Sequence, residues 1–391
     1  MLTGSGRFLT EFPSSSARAR RKFSTTKLCG TPTDEIPMTD DLYTQINDRC
    51  NVDAIKALLR NISERSAAAS TDIRISGLKE DLIRHLRIAV EQRHAQPEEL
   101  RRLLWNSEEV GKQHILLLSR APAEFSTSPP AANIENGAEV AAALFGEPWK
   151  NRFPRYEFPT SGAIWSDFRI DENGGWLGKA YGRELYRQSE GVVATEELDG
   201  GVQQEIRQYS LKVVKTTLVA RWRPTPPVLE LRVDNSNLQT TKAIEERQKQ
   251  LWTLLQPAFQ NQHLVGLGVD NLLNCLIFER HTPENQERYS ISRVELTDPR
   301  SGLIRVMPYD SEALDHDVGR KRSLEAMQAN DFRPSSARVE WKCGLEGCPA
   351  DMTEPVPVVV EKTSNGPELR IRKQITSDTY EYIYNQLRSR L

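Results

Sequence analysis

The sequence predicts an α+β fold: a small N-terminal helical module followed by a mixed, mainly antiparallel α+β body. Three observations carry that expectation. Apolar residues between 39 and 110 recur at helical spacing. Segments in the second half alternate apolar and polar residues as strands do. The alternation is strict in PVLELRVD (227–234), where Val228, Glu230, Arg232 and Asp234 oppose Leu229, Leu231 and Val233. Between the two kinds of pattern lies RAPAEFSTSPPAANIENG (120–137), whose Pro, Ala, Ser and Asn mark a linker.

Residues 1–37 are expected outside the fold. From Met1 to Gly30, Arg7, Arg18, Arg20, Arg21, Lys22 and Lys27 face one acid, Glu11, in a Ser-rich stretch. That is the composition of a disordered basic tail or an organelle transit peptide. RKFST (21–25) resembles a presequence-processing pattern of arginine, one residue, an aromatic and a cut before a small residue. Met38 is the alternative start.

The helical module is expected over 38–119. DDLYTQINDRC has acids at its front, as the helix dipole favours. NVDAIKALLRNI (51–62) opens on an Asn suited to capping, with Val52, Ile55, Leu58, Leu59 and Ile62 at helical spacing. SERSAAASTD breaks the pattern, and GLKEDLIRHLRIAVEQR resumes it with Leu78, Leu82, Ile83, Leu86, Ala89 and Val90. QPEELRRLLWNSEEVG (96–111) is a third helix, with Pro97 in its first turn and Gly111 as its stop. HILLLS (114–119) reads as a short buried strand, and His114 as a residue at a strand edge.

An α+β domain is expected over 138–320 and a β-rich segment with a terminal helix over 321–391. AEVAAALF is a short helix, and PWKNRFPRYEFP an aromatic-rich irregular stretch. GAIWSDFRI, IRQYSLKVVKTTLVARWR and PVLELRVD read as strands. TTKAIEERQKQLWTLLQPAF is a helix with Ile244, Leu251, Leu254 and Leu255 inward. LNCLIFER, SISRVELTD, GLIRVMP, ARVEWKC, VPVVVEK and ELRIRKQI continue as strands before the helix SDTYEYIYNQLRSRL.

Composition bounds the function. The formal net charge of −2 over 391 residues lacks the basic excess of a nucleic-acid-coating protein, so any nucleic-acid contact must come from a local surface. No apolar run approaches the ~18 residues of a membrane span, so no membrane partner is expected. The five cysteines are odd in number and sparse, which fits a reducing intracellular compartment better than a disulfide scaffold. Nucleus or cytoplasm is expected, or the mitochondrion if residues 1–23 are a transit peptide.

SGLKEDLIRHL (76–86) supplies Gly77, Lys79, Leu82, Ile83 and Leu86, preceded by Ile55, Lys56 and Leu59 in the helix before. These positions resemble a SAP motif, a small helix–loop–helix DNA-binding module, over residues 51–90. His85 stands where the family has arginine, and the connecting loop is several residues longer. The resemblance implies DNA contact through the phosphate backbone. Gly77 would let the backbone approach a phosphate, and the helix N-terminus and Lys79 would attract it. Lys56, Arg60 and Arg84, with His85, would extend the surface without reading bases.

Other constellations are weaker. Asp331, Glu340 and Lys342 are similar to a PD-(D/E)xK nuclease core, in which two carboxylates hold a metal and the lysine helps activate water. Cys343 and Cys348 lack a second ligand pair for zinc and suit a hairpin turn. Gly-x-Gly at 266–268 lacks the third glycine and strand–helix context of a dinucleotide site. Trp149, Phe153, Tyr156, Phe158, Trp165 and Phe168 read as core rather than a base-stacking platform. No catalytic residue, metal or cofactor is assigned. The expected function is therefore a non-enzymatic nucleic-acid-associated protein, with a SAP-like module and a body that binds an unknown protein partner. The alternatives are a protein-interaction scaffold without nucleic acid, or a metal-dependent nuclease at Asp331, Glu340 and Lys342.

Overall fold

A computed structural model of the chain describes residues 40–390 apart from 66, 123–128, 153–158, 199–201, 236–240, 279–282, 299, 301, 309–313, 315–317, 345, 364–365 and 389. The basic tail and its RKFST pattern lie outside the described residues, as do Phe153, Tyr156 and Phe158.

The N-terminal periodicity forms α1 (Asp40–Arg49), α2 (Val52–Arg65), α4 (Lys79–Glu91) and α5 (Pro97–Val110). Asn51 caps α2 by accepting from the Ala54 N–H at 2.6 Å. The SERSAAASTD interruption is itself partly helical, as α3 (Ala67–Asp72). Ile55, Leu59, Ile62, Leu82 and Leu86 are fully buried where these helices pack.

One antiparallel sheet follows. Its strands are β1 (Gln113–Arg120), β2 (Ala163–Ile170), β3 (Trp176–Leu198), β4 (Val202–Pro224), β5 (Pro227–Asp234), β6 (Leu264–Gly266), β7 (Tyr289–Thr297), β8 (Leu303–Val306), β9 (Arg333–Trp341), β10 (Val356–Thr363) and β11 (Gly366–Ile371). They are ordered β2-β3-β4-β5-β1-β11-β10-β9-β7-β8, with β6 beside the far end of β1. The remaining helices are α6 (Gly137–Phe145), α7 (Thr241–Leu255), α8 (Asp270–Phe278), α9 (Pro283–Arg288), α10 (Val318–Ala329) and α11 (Ser377–Arg388). The α+β expectation holds: N-terminal helices precede a mainly antiparallel sheet body.

Both sheet faces are covered. One packs Ile115, Leu117, Val339, Val358 and Leu369 against α8 and α11. The other packs Leu229, Leu231, Val233, Trp176 and Trp222 against α6 and α7. Leu251 and Leu255 of α7 are buried there, with Ile244 and Leu254 packed at the margin. Phe168 stacks on Trp176 and meets Trp149 edge-on in this second core, with Trp165 packed at its margin, so the described part of the aromatic cluster belongs to the core.

Four readings of local pattern are corrected. LNCLIFER is not a strand: its apolar residues lie on α8, because a short apolar run fits either element until an acid at the helix start decides it. β3 escaped detection because Gly178 and Gly182 dilute its pattern. A Cβ on Gly178 would come within 2.7 Å of the Trp165 ring, so the glycine is a packing requirement. His114 is not at an edge, since β1 lies between β5 and β11. The Gly-x-Gly at 266–268 does lie between a strand and a helix, although Asn271 stands where a third glycine would.

Thr39–Leu391 cluster as one unit, and the sheet crosses the boundaries expected at 120–137 and at 320/321. The described part of the linker is bound into the body. Ala132 and Ile134 are buried, and the Ile134 carbonyl accepts from Trp176 Nε1 at 2.8 Å.

Candidate functional site

The alternation of β5 places Glu230, Arg232 and Asp234 on one face and Leu229, Leu231 and Val233 on the other, yet both faces are buried. The charged face continues across β4 and β3 through Arg221, Arg223, Thr217, Lys215, Tyr181 and Lys179. Buried ions are tolerated only when paired and hydrogen-bonded, and here α1, α5 and α11 bring the partners.

Glu108 of α5 is the first hub. Its carboxylate meets Lys179 Nζ at 3.0 Å, Lys215 Nζ at 2.9 Å and Arg49 Nη1 at 3.3 Å, and accepts from Tyr181 Oη at 2.8 Å. Lys179 also donates to the Trp105 carbonyl at 2.9 Å and lies 3.7 Å from the centre of that indole. Burial pushes the Glu108 carboxyl up. The cations around it outweigh burial and hold it at about 2.

Glu230 is the second hub. Arg232 Nε donates to it at 2.8 Å and Tyr380 Oη at 3.1 Å, and Arg223 pairs with its other oxygen. Arg223 and Arg221 reach on to Glu381 at 2.8 and 2.6 Å. Burial again opposes ionisation, and Arg232 and Arg223 bring the Glu230 carboxyl down to about 2. On the opposite face, burial and the nearby Arg370 and Arg372 lower His114 to about 3. Glu108 and Glu230 are enclosed and paired within the fold, which makes them structural, whereas both ring nitrogens of His114 are buried without a hydrogen-bond partner, with Glu368 Oε2 3.5 Å from Nδ1.

Two clefts take in the residues of the SAP-like stretch. Lys56 and Lys79 line one of about 480 Å³, together with Asn51 and Asp53 at the start of α2, Asp351, Glu354 and Lys373. Lys79 donates to the Asn47 carbonyl, and burial lowers its pKa. Lys373 pairs with Glu354 at 2.7 Å. Cys50 also lines this cleft, its thiol pushed up to about 12 by burial. Arg84 and His85 line a different cleft of about 420 Å³ with Arg74 and Asp72. Lys79 and Arg84 are five residues apart on α4, about 140° round the helix. Arg84 pairs with Asp81 at 3.0 Å, His85 is buried, and Arg60 is exposed on α2. Gly77 has φ +128°, and a Cβ there would press on the Asp81 side chain at 3.0 Å. Asp81 meanwhile accepts from the Leu78 N–H at 3.2 Å. Gly77 thus serves the turn into α4. The structure brings Lys56 and Lys79 together and leaves Arg60, Arg84 and His85 elsewhere. Lys373, between β11 and α11, was missed because nothing local marks it.

The nuclease reading does not assemble. Asp331 precedes β9 and Glu340 is near its far end, so at about 3.3 Å per residue the strand separates them by roughly 23 Å. Glu340 lies 3.6 Å from Arg338, and Lys342 donates to the Gln286 carbonyl at 2.6 Å. No group of three or more His, Cys, Asp or Glu side chains suited to a metal occurs among the described residues. Cys343 and Cys348 are free thiols. No helix among the described residues is long and apolar enough to cross a membrane.

The feature that sequence reasoning missed is a ribbon. β2 pairs with β3 only as far as Gly182, and β5 with β4 only from Leu218. Beyond those points β3 and β4 pair with each other alone, to Leu198 and Val202. The register puts Tyr181 opposite Thr217, then Leu185 opposite Val213 two steps on, so one face continues unbroken. Under α5 that face holds Lys179 and Tyr181, both buried. Past the helices it presents Leu185 (65% exposed), Leu211 (67%), Val213 and Tyr209. Val192, set opposite Arg207, adds to it after a register shift in β3. With Ile206 on the reverse face, half of the twelve large exposed apolar side chains among the described residues lie on this ribbon.

No family model and no curated protein matches the chain.

Proposed function

We propose that this chain is a binding protein rather than an enzyme, and that the β3–β4 ribbon is its docking arm for a protein partner. The change of character along one face of one strand pair carries this reading. Buried ions lie under the helices, and large apolar side chains stand open beyond them. Apolar surface of this kind gains by being covered, and a two-stranded ribbon is marginal on its own in water. A photo-cross-linking residue at Leu211 of the full chain, expressed in its own host, tests the reading. The expected product is a protein adduct at Leu211, absent when the probe is at Arg60. Absence of any protein adduct at Leu211 rejects the docking arm.

The second reading is contact with a nucleic-acid phosphate backbone at the cleft of Lys56 and Lys79, as the SAP-like stretch implies. Its support is the meeting of these two lysines at the first turn of α2, where the helix dipole favours an anion. Asp53, Asp351 and Glu354 share the cleft, which limits the contact to weak backbone binding. Titration of the full chain with double-stranded DNA at about 50 and 200 mM salt should show salt-sensitive binding that Lys79→Glu abolishes. Binding unchanged by the substitution removes this reading.

A further inference from the structure

We propose that the cleft of Lys56 and Lys79 binds a small zwitterion, a free α-amino acid with an apolar side chain. The inference stands apart from the docking arm and shares only the two lysines with the phosphate reading.

The cleft lies between the helical module and the sheet body, and its two walls differ in charge. The module wall carries Lys56 and Lys79 against Asp53. It includes the start of α2, where the helix dipole adds positive potential. Lys56 has no ion-pair partner among the described residues. The body wall carries Asp351, likewise unpaired among them, and Lys373 with Glu354, which neutralise each other at 2.7 Å. Unanswered charge therefore remains in both signs, a cation on one wall and an anion on the other. A phosphate meets the first and is repelled by the second. A carboxylate and an ammonium on one small molecule meet both.

The rest of the lining suits the rest of such a molecule. Met352, Val356 and Ile375, all nearly buried, give the body wall an apolar floor. Thr379, 3% exposed, also lines the cleft. Its backbone N–H donates to Thr376 Oγ1 at 3.2 Å, while its hydroxyl makes no hydrogen bond among the described residues. A hydroxyl so enclosed and unpartnered is a place for a ligand's polar atom. The volume of about 480 Å³ falls within the range of small-molecule sites. The carboxylate is assigned to Lys56 and Lys79, the ammonium to Asp351, and the side chain to the floor.

Calorimetric titration of the full chain with L-leucine, L-methionine and L-phenylalanine reads the result. The best of the three should bind with a Kd below about 1 mM. Its N-acetyl derivative lacks the ammonium and its amide lacks the carboxylate, and each should bind at least about tenfold more weakly. Lys56→Gln and Asp351→Asn should each weaken the amino acid by a similar factor. Neither breaks a described contact, so the far-ultraviolet spectrum should stay that of the wild type. No binding of any of the three up to about 10 mM overturns the proposal, and so does an amide or N-acetyl derivative that binds as well as its parent. Double-stranded DNA separates this idea from the phosphate reading. Asp351→Asn removes a charge that repels phosphate, so it should strengthen DNA binding while it weakens the amino acid. Amino-acid binding without DNA binding keeps the proposal and rejects the phosphate reading, and the reverse result does the opposite.

Discussion

The two halves of the β3–β4 pair invert the ordinary rule of inside and outside. In the half shared with the sheet, Lys179 and Tyr181 lie under α5 at one carboxylate, which Lys215 reaches from just beyond that half. In the half beyond it, Leu185, Leu211 and Val213 face outward on the same side of the same strands. The difference teaches that residue character alone does not place a residue here; the presence of a covering layer does. Where α5 supplies Glu108, cations are buried. Where none of the described helices covers the strands, large apolar side chains stand exposed.

Breaking the covered half should have the largest effect. Glu108→Gln leaves Lys179 and Lys215 without their anion and Arg49 with Asp234 at 3.8 Å, and should cost about 3–5 kcal/mol in urea unfolding. A loss under about 1 kcal/mol would show that the cations find other partners and that α5 is a weaker lid than its contacts suggest.

Acid should act on the same half. Glu108 and Glu230 are held at about 2 against an ordinary value of 4.5, so their stabilisation is complete above pH 4.5 and is lost towards pH 2. His114 is held at about 3 against 6.5, so the unfolded chain takes its proton first and stability starts to fall below pH 6.5. Glu368, raised by burial, acts in the opposite sense and offsets part of that fall. The urea midpoint should therefore drop between pH 7 and pH 5, then more steeply below pH 4.5. Replacing His114 with Gln should flatten the curve above pH 4.5 and also lessen its slope from there to about pH 3.

Packing on the reverse face comes next. Gly178→Val would drive new atoms into the Trp165 ring, and overpacking of this kind costs about 1–3 kcal/mol. Thermal unfolding reads it. A neutral result would mean that Trp165 moves aside without loss.

The smallest effect belongs to the open half. Leu185→Lys and Leu211→Lys should each change the unfolding free energy of the isolated chain by no more than about 0.5 kcal/mol, although they replace the exposed apolar side chains of the ribbon. A large loss of stability from either would place these residues in an internal contact and end the comparison between the two halves.

The α+β class, the limits of the four long N-terminal helices to within a few residues, and nearly every strand after β5 are legible as periodicity. Three kinds of feature are not. Strand β3 hides because its glycines answer to neighbours from β2 and β4 rather than to its own pattern. Helix α8 hides because nine residues of mostly apolar character fit either period. The charged face of β5 looks half-exposed, since nothing near Glu230 in the chain announces Tyr380 or Glu381. The site fares likewise. The meeting of Lys56 and Lys79 is implied by the SAP-like spacing, whereas Lys373 arrives from the far end of the chain. The ribbon's excess length becomes visible only when β2 and β5 are seen to stop short of it.

The central position of β1 has a consequence for how the chain is made. Its residues 113–120 bond to β5 on one side and to β11, at 366–371, on the other. A chain emerging from the ribosome exposes one edge of β1 until residues 366–371 have been released. Closing so long a loop is slow, and an open strand edge invites wrong pairing meanwhile. Truncation shortly before β11 would therefore leave the middle of the sheet, and not merely its rim, without a neighbour.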